Sequence, residues 1–210
     1  MSKLSVCFIG FFGIKQQHAN KYIDLWNNLN ASTNYYKYSA YKDILTISNH
    51  NHKTNRELFE PKKNHYDIVH CISGGSLYLH LLLTSKKTFT YSKIIYDSGP
   101  YTFDHKQTEI YAHQTFPITK FLPVKNILNA MNGDFYAAIS KDQHKSTLYT
   151  SHEKLVLTSK LDKTIDREFV MKYIHDSGAK HIEFSKGNHA NLYSTNKEEY
   201  TQSLVDFIKK

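Results

Sequence analysis

Apolar and polar positions alternate along the chain in blocks, and each block has the period of a recognisable element. Leu4–Ile9 is a short, continuous apolar run that stops at Gly10, the pattern of a strand buried on both faces. Residues 16–29 then place Tyr22, Leu25, Trp26 and Leu29 at helical spacing. A second strand is expected at Tyr35–Tyr38 or at Ile44–Ile47, followed by a polar loop over Ser48–Asn55. Asp67–Ile72 is the strongest strand signal, bounded by polar residues before it and by Gly74–Gly75 after it. Leu77–Leu83 reads as a buried helix starting just past those glycines, and Lys93–Tyr96 as a strand closed by the turn residues Asp97–Ser98–Gly99–Pro100.

Residues 101–150 break the rhythm: helical fragments at Gln107–His113 and Ile118–Ala130 are expected there, without strands. The alternation then resumes with a strand at Leu155–Thr158 and a helix over Asp166–Asp176 stopped by Ser177–Gly178. A strand at His181–Phe184 and an amphipathic helix over Lys197–Lys209 complete it. Strand–helix alternation on both sides of an interruption implies a mostly parallel α/β sheet flanked by helices, one domain over residues 1–210. Residues 101–150 are then a short helical lid inserted over one end of the sheet.

Three sharp turns at the C-terminal ends of expected strands carry reactive side chains, where an open α/β sheet places its chemistry. His70–Cys71–Ile72–Ser73–Gly74–Gly75–Ser76 runs from strand through serine and two glycines into helix. A nucleophile elbow needs this strained turn with small neighbours, so that the hydroxyl stands clear of the backbone. Gly75 supplies one small neighbour and Cys71 stands in for the other. Taken alone, the segment is equally a plain turn with a serine cap on the following helix. Ser159–Lys160–Leu161–Asp162 and Lys186–Gly187–Asn188–His189 form the other two turns. The chain order Ser73, Asp162, His189 is that of a serine, acid and base array on such a sheet, with one helix between acid and base. Asp97, also at a strand end, is the alternative acid. Oxyanion donors are expected from the amide of Gly74 and from Phe11 or Phe12, in the turn Gly10–Phe11–Phe12–Gly13 after the first strand.

Phe8–Ile9–Gly10–Phe11–Phe12–Gly13 with His18 and Lys21–Tyr22 resembles the opening of the transmembrane protein 53-like family of α/β hydrolases. His70, Ser73–Gly74–Gly75 resembles that family's serine-centred elbow, with Gly74 where the family commonly has Asn. Ile95–Tyr96–Asp97–Ser98–Gly99–Pro100 is similar to its Asp-Ser-Ala-Pro-Gly turn. Ser159–Lys160–Leu161–Asp162, His189 and Glu198–Glu199–Tyr200 resemble its closing segment. The resemblance implies an α/β-hydrolase fold with Ser73, Asp162 and His189 as the catalytic triad, and it supplies no substrate. A serine hydrolase would cleave a carboxylic ester or thioester through an acyl-enzyme on Ser73. The competing expectation is a non-catalytic relative that binds a partner. Aromatic side chains of the insertion (Tyr101, Phe103, Tyr111, Phe116, Phe121, Phe135, Tyr136) would line an acyl or aryl pocket or form the core of a small cap.

Composition changes this picture little. Lys and Arg number 27 against 19 Asp and Glu, a net charge of +8, which on its face indicates a nucleic-acid or anionic-membrane partner. Only Arg56 and Arg167 are arginine, the side chain whose planar fork suits phosphate and base recognition. The scattered lysines read as a coding bias, and nucleic acid is not an expected partner; a small ester or acyl compound is. Thirteen histidines raise a metal site, yet His50-x-His52 has no carboxylate or thiol at ligand spacing. No Walker loop and no G-x-G-x-x-G occurs, so neither metal nor cofactor is expected. The longest apolar stretches, Val6–Phe12 and Leu77–Leu83, fall well short of the roughly 20 residues a membrane-crossing helix needs. Cys7 and Cys71 lie in apolar runs, as reduced thiols do, and a cytoplasmic protein is expected.

Overall fold

The computed structural model describes residues 3–11, 14–36, 61–85, 88–101 and 152–209, together with residues 106, 107, 109, 110 and 113. Six strands form one wholly parallel sheet: β1 (Leu4–Ile9), β2 (Ala31–Tyr36), β3 (His65–Ile72), β4 (Thr90–Asp97), β5 (Glu153–Ser159) and β6 (Lys180–Phe184). Their order across the sheet is β2-β1-β3-β4-β5-β6. The helices are α1 (Gln16–Asn28), α2 (Gly75–Ser85), α3 (Arg167–Ser177), the single turn α4 (Leu192–Thr195) and α5 (Lys197–Ile208).

Alternation of side chains along each strand divides the core in two. Cys7, Ile9, Val69, Cys71, Ile94, Tyr96 and Val156 face α2 and α3, against Leu79, Leu82, Val170 and Tyr173. Val6, Phe8, Ile68, Ile72, Ile95, Leu155 and Leu157 face α1, α4 and α5, against Tyr22, Trp26, Leu192, Tyr200 and Leu204. Burial on both faces is why these strands read as unbroken apolar runs. Cys7 and Cys71 are free and buried, and burial pushes both thiols well above their ordinary range.

Most expected elements coincide with observed ones within three residues at each end. The second strand is the correction: it spans Ala31–Tyr36, starting four residues before Tyr35. It is an edge strand with mostly half-buried positions, so Ser32, Thr33 and Asn34 conceal it from any apolar-run criterion. It follows α1 through Leu29–Asn30, with Asn30 in the left-handed region at φ 56°. Lys37–Tyr38, the alternative at Ile44–Ile47 and the Ser48–Asn55 loop lie outside the described residues. So does most of the 101–150 insertion, including the Ile118–Ala130 fragment; within Gln107–His113, the described positions are helical. Helix α4 has no counterpart in the hydropathy pattern, being only four residues long.

Helix α3 begins and ends as its sequence dictates. The Asp166 carboxylate caps its N-terminus, accepting the amides of Glu168 and Phe169, and Gly178 terminates it at φ 63°. The chain turns back between β1 and β3, one winding toward β2 and the other toward β6. In open α/β sheets such a reversal is where the loops after neighbouring strands diverge and ligands bind, at the C-terminal end of the sheet.

Candidate active site

Ser73 stands immediately after β3, at that reversal, with a left-handed backbone at φ 50°. A non-glycine residue held there is strained, and its surroundings fix it. Its amide donates to the carbonyl of Asp97 at 2.8 Å, and its own carbonyl accepts the amide and hydroxyl of Ser76 at 3.2 and 3.1 Å. The strand therefore breaks into α2 without a connecting loop. Gly75 is obligatory for the same geometry: a Cβ there would lie 2.5 Å from the carbonyl oxygen of Ile9 and 3.0 Å from that of Gly10. The start of α2 thus touches the backbone at the end of β1, bringing the Gly10–Phe11 turn alongside Ser73–Gly74.

His189 lies in the turn after β6. Gly187 at φ 96° and Ala190 at φ 54° shape that turn, and the Ser159 hydroxyl ties it to β5 by donating to the Gly187 carbonyl at 2.5 Å. The imidazole reaches in two directions. Its Nε2 is 2.6 Å from Ser73 Oγ and its Nδ1 is 2.8 Å from Asp162 Oδ2. With the ionised carboxylate as an obligate acceptor, Nδ1 carries the proton and Nε2 is free to accept the serine hydroxyl. The Asp162 side chain is wholly buried, and its other oxygen accepts the Thr164 amide at 2.8 Å.

Asp97, the alternative acid, points elsewhere. Its Oδ2 accepts the phenols of Tyr200 at 2.7 Å and Tyr22 at 3.0 Å, and its Oδ1 accepts the Ser98 hydroxyl at 2.9 Å. Burial raises this carboxyl to about 6 against those three hydrogen bonds, which favour the charged form. Behind Tyr200 lies His70, fully buried and pulled down to about 3 by desolvation. Its Nδ1 accepts the Trp26 indole at 3.0 Å, which leaves the proton on Nε2, 3.2 Å from Tyr200 Oη. A continuous chain of polarity thus runs from Trp26 through His70 and Tyr200 to Asp97 and Ser98.

Of the expected oxyanion donors, Gly74 is buried at the elbow and Phe11 is half-buried at the end of β1, its ring edge-on to His18 at 5.8 Å. Phe12 lies outside the described residues. Sequence reasoning assigned no role to Tyr22, His70, Ser98 or Tyr200. All four sit in motifs quoted above, but only the fold reveals that they converge.

No protein-family model matches the chain, and no curated protein sequence does. Solved structures do match. An esterase from Pyrococcus furiosus superposes with a TM-score of 0.62 at 13% identity, covering 99% of this chain and 82% of its own. A carboxylesterase from the thaumarchaeon Nitrososphaera gargenis gives 0.62 at 9% identity, over 99% and 91%. The fold is that of the α/β hydrolases. A monoacylglycerol lipase from Paleococcus ferrophilus has the same fold, with a TM-score of 0.58 at 12% identity over 97% and 93% of the two chains. In α/β hydrolases the switch-point crevice is where an elbow after the third strand of this sheet would carry its nucleophile. Among the described residues no helix is long and apolar enough to cross a membrane, and no group of three or more His, Cys, Asp or Glu side chains is arranged to hold a metal ion.

Proposed function

We propose that the protein is a serine hydrolase that cleaves a carboxylic ester or thioester through an acyl-enzyme on Ser73. The observation that carries this reading is the relay Ser73 Oγ, His189 Nε2, His189 Nδ1, Asp162 Oδ2, hydrogen-bonded at 2.6 and 2.8 Å. Esterase and lipase activity among proteins of the same fold supports it, as does the motif resemblance to the transmembrane protein 53-like hydrolases.

The chemistry follows from the parts. Ser73 Oγ attacks the carbonyl carbon while its proton passes to His189 Nε2, and Asp162 holds the resulting imidazolium in register. The negative oxygen of the tetrahedral adduct rests on the Gly74 amide and on an amide of the Phe11–Phe12 turn. Collapse of the adduct expels an alcohol or thiol, which leaves with the proton from His189. Water then attacks the acyl-serine and gives its proton to His189, and the second adduct collapses to release the acid as His189 returns that proton to Ser73 Oγ. Tyr101, the first residue of the 101–150 insertion, is buried, and its carbonyl accepts the Ser76 hydroxyl beside the elbow.

A fluorophosphonate probe tests the reading directly. Wild-type protein should be labelled covalently, with labelling abolished by Ser73→Ala and by His189→Ala. Absence of labelling in folded wild-type protein would overturn the proposal in favour of a non-catalytic binding role. Labelling that survives Ser73→Ala would place the nucleophile elsewhere.

A further inference from the structure

The turn after β4 contacts both halves of the relay without taking part in it. On one side, the Asp97 carbonyl accepts the Ser73 amide at 2.8 Å. On the other, the Ser98 hydroxyl accepts the amide of Ala190, the residue following His189, at 2.9 Å. That hydroxyl has a single proton, and it donates it to Asp97 Oδ1 at 2.9 Å, so its lone pairs are turned toward Ala190. The carbonyl of Ala190 is held as well, by His18 Nε2 at 3.0 Å. Ala190 lies in the left-handed region at φ 54°, as does Ser98 at φ 54°. Neither conformation is one an alanine or serine adopts by preference, so each is maintained by its partners. Asp97 and Ser98 are completely buried, and so are Tyr22, Tyr200 and His70 behind them.

We propose that Ser98 is a positioning residue for the general base: with Asp97 behind it, its hydroxyl fixes the His189–Ala190 peptide and thereby the distance from the imidazole to Ser73. The inference rests on the serine-hydrolase reading of Ser73 and His189. The carboxylate orients Ser98, and Tyr22 from α1 and Tyr200 from α5 orient the carboxylate. The three hydrogen bonds to Asp97 engage both of its carboxylate oxygens. A serine, rather than a longer side chain, is needed because the hydroxyl must bridge the Asp97 carboxylate and the Ala190 amide within one turn.

Two variants separate positioning from mere support. Ser98→Ala removes the hydroxyl and keeps the strained backbone, whereas Ser98→Gly removes the hydroxyl and relieves the strain. Both should slow fluorophosphonate labelling by about one to two orders of magnitude, since a misplacement near 1 Å costs roughly 100-fold. Both should also broaden or abolish the strongly deshielded proton resonance of the His189 Nδ1–H bonded to Asp162, identified in wild type by its loss in His189→Ala. A purely structural role would lower the denaturation midpoint of both variants, less in Ser98→Gly, and leave that resonance and the labelling rate of folded protein unchanged. That outcome overturns the proposal and leaves the serine-hydrolase reading intact. Unlabelled wild type overturns both; labelling and resonance lost together in both variants support the positioning role.

Discussion

Replacing Gly75 by alanine sets two backbone effects against each other. Alanine is favoured over glycine in a helix by about 1 kcal/mol, which would stabilise α2. Its Cβ, however, would lie 2.5 Å from the Ile9 carbonyl oxygen, at the end of a strand paired on each side, and 3.0 Å from that of Gly10 just past it. Neither atom is the mobile end of a side chain, so α2 itself must withdraw by about half an ångström. Overpacking of this kind costs about 1–3 kcal/mol, so a net destabilisation of up to about 2 kcal/mol is expected. Withdrawal of α2 also moves Ser73 and Gly74 away from His189 and the Phe11 turn, and labelling should slow by about tenfold. Urea denaturation and the rate of fluorophosphonate labelling measure the two effects separately. A Gly75→Ala protein as stable as wild type and labelled at the same rate would refute the close approach of α2 to β1.

Three further outcomes follow from the site and its surroundings. Ser73→Gly and Ser73→Ala should both be unlabelled, but the glycine variant should be the more stable by about 1 kcal/mol, because only it accepts φ 50° freely; equal denaturation midpoints would argue against strain at the elbow. Asp162→Asn should slow labelling by roughly four orders of magnitude, since an amide facing Nδ1 selects the wrong tautomer; a minor effect there, with a large one in Asp97→Asn, would reassign the acid. His70, pulled down to about 3 from 6.5, contributes stability that is complete above pH 6.5 and is lost as pH falls toward 3. About 3 kcal/mol should disappear between pH 6.5 and 4. The denaturation midpoint of wild type should therefore fall more steeply over that range than that of His70→Asn, and parallel curves would contradict a buried neutral imidazole.

The central strands are legible because both their faces are covered, leaving no polar position to interrupt β1 or β3. The edge strand β2 is not, because Ser32 and Asn34 satisfy a strand's geometry without announcing it. The elbow is visible as strand, serine, two glycines and helix, yet the reason for Gly75 is invisible: it is set by the Ile9 and Gly10 carbonyls, which come from 65 or more residues away in the chain. Chain order favoured Asp162 over Asp97; Asp162 Oδ2 lies 2.8 Å from His189 Nδ1, and Asp97 Oδ2 lies 2.7 Å from the Tyr200 phenol. What separates the two acids physically is their company. Asp97 is surrounded by phenols from α1 and α5, and which helix faces meet above a strand end is a tertiary fact that hydropathy does not encode.

The relay joins residues 116 and 27 positions apart, and His189 follows β6, which among the described residues pairs with β5 alone. On the serine-hydrolase reading, a chain emerging from the ribosome completes the strand before Ser73 long before it has made His189, and the serine stays inert through most of synthesis. In the finished molecule the same arrangement ties reactivity to the outermost strand. Fraying of that edge would carry His189 away while the elbow stayed folded, so catalytic competence would track the local stability of β6 and fail before the globule does.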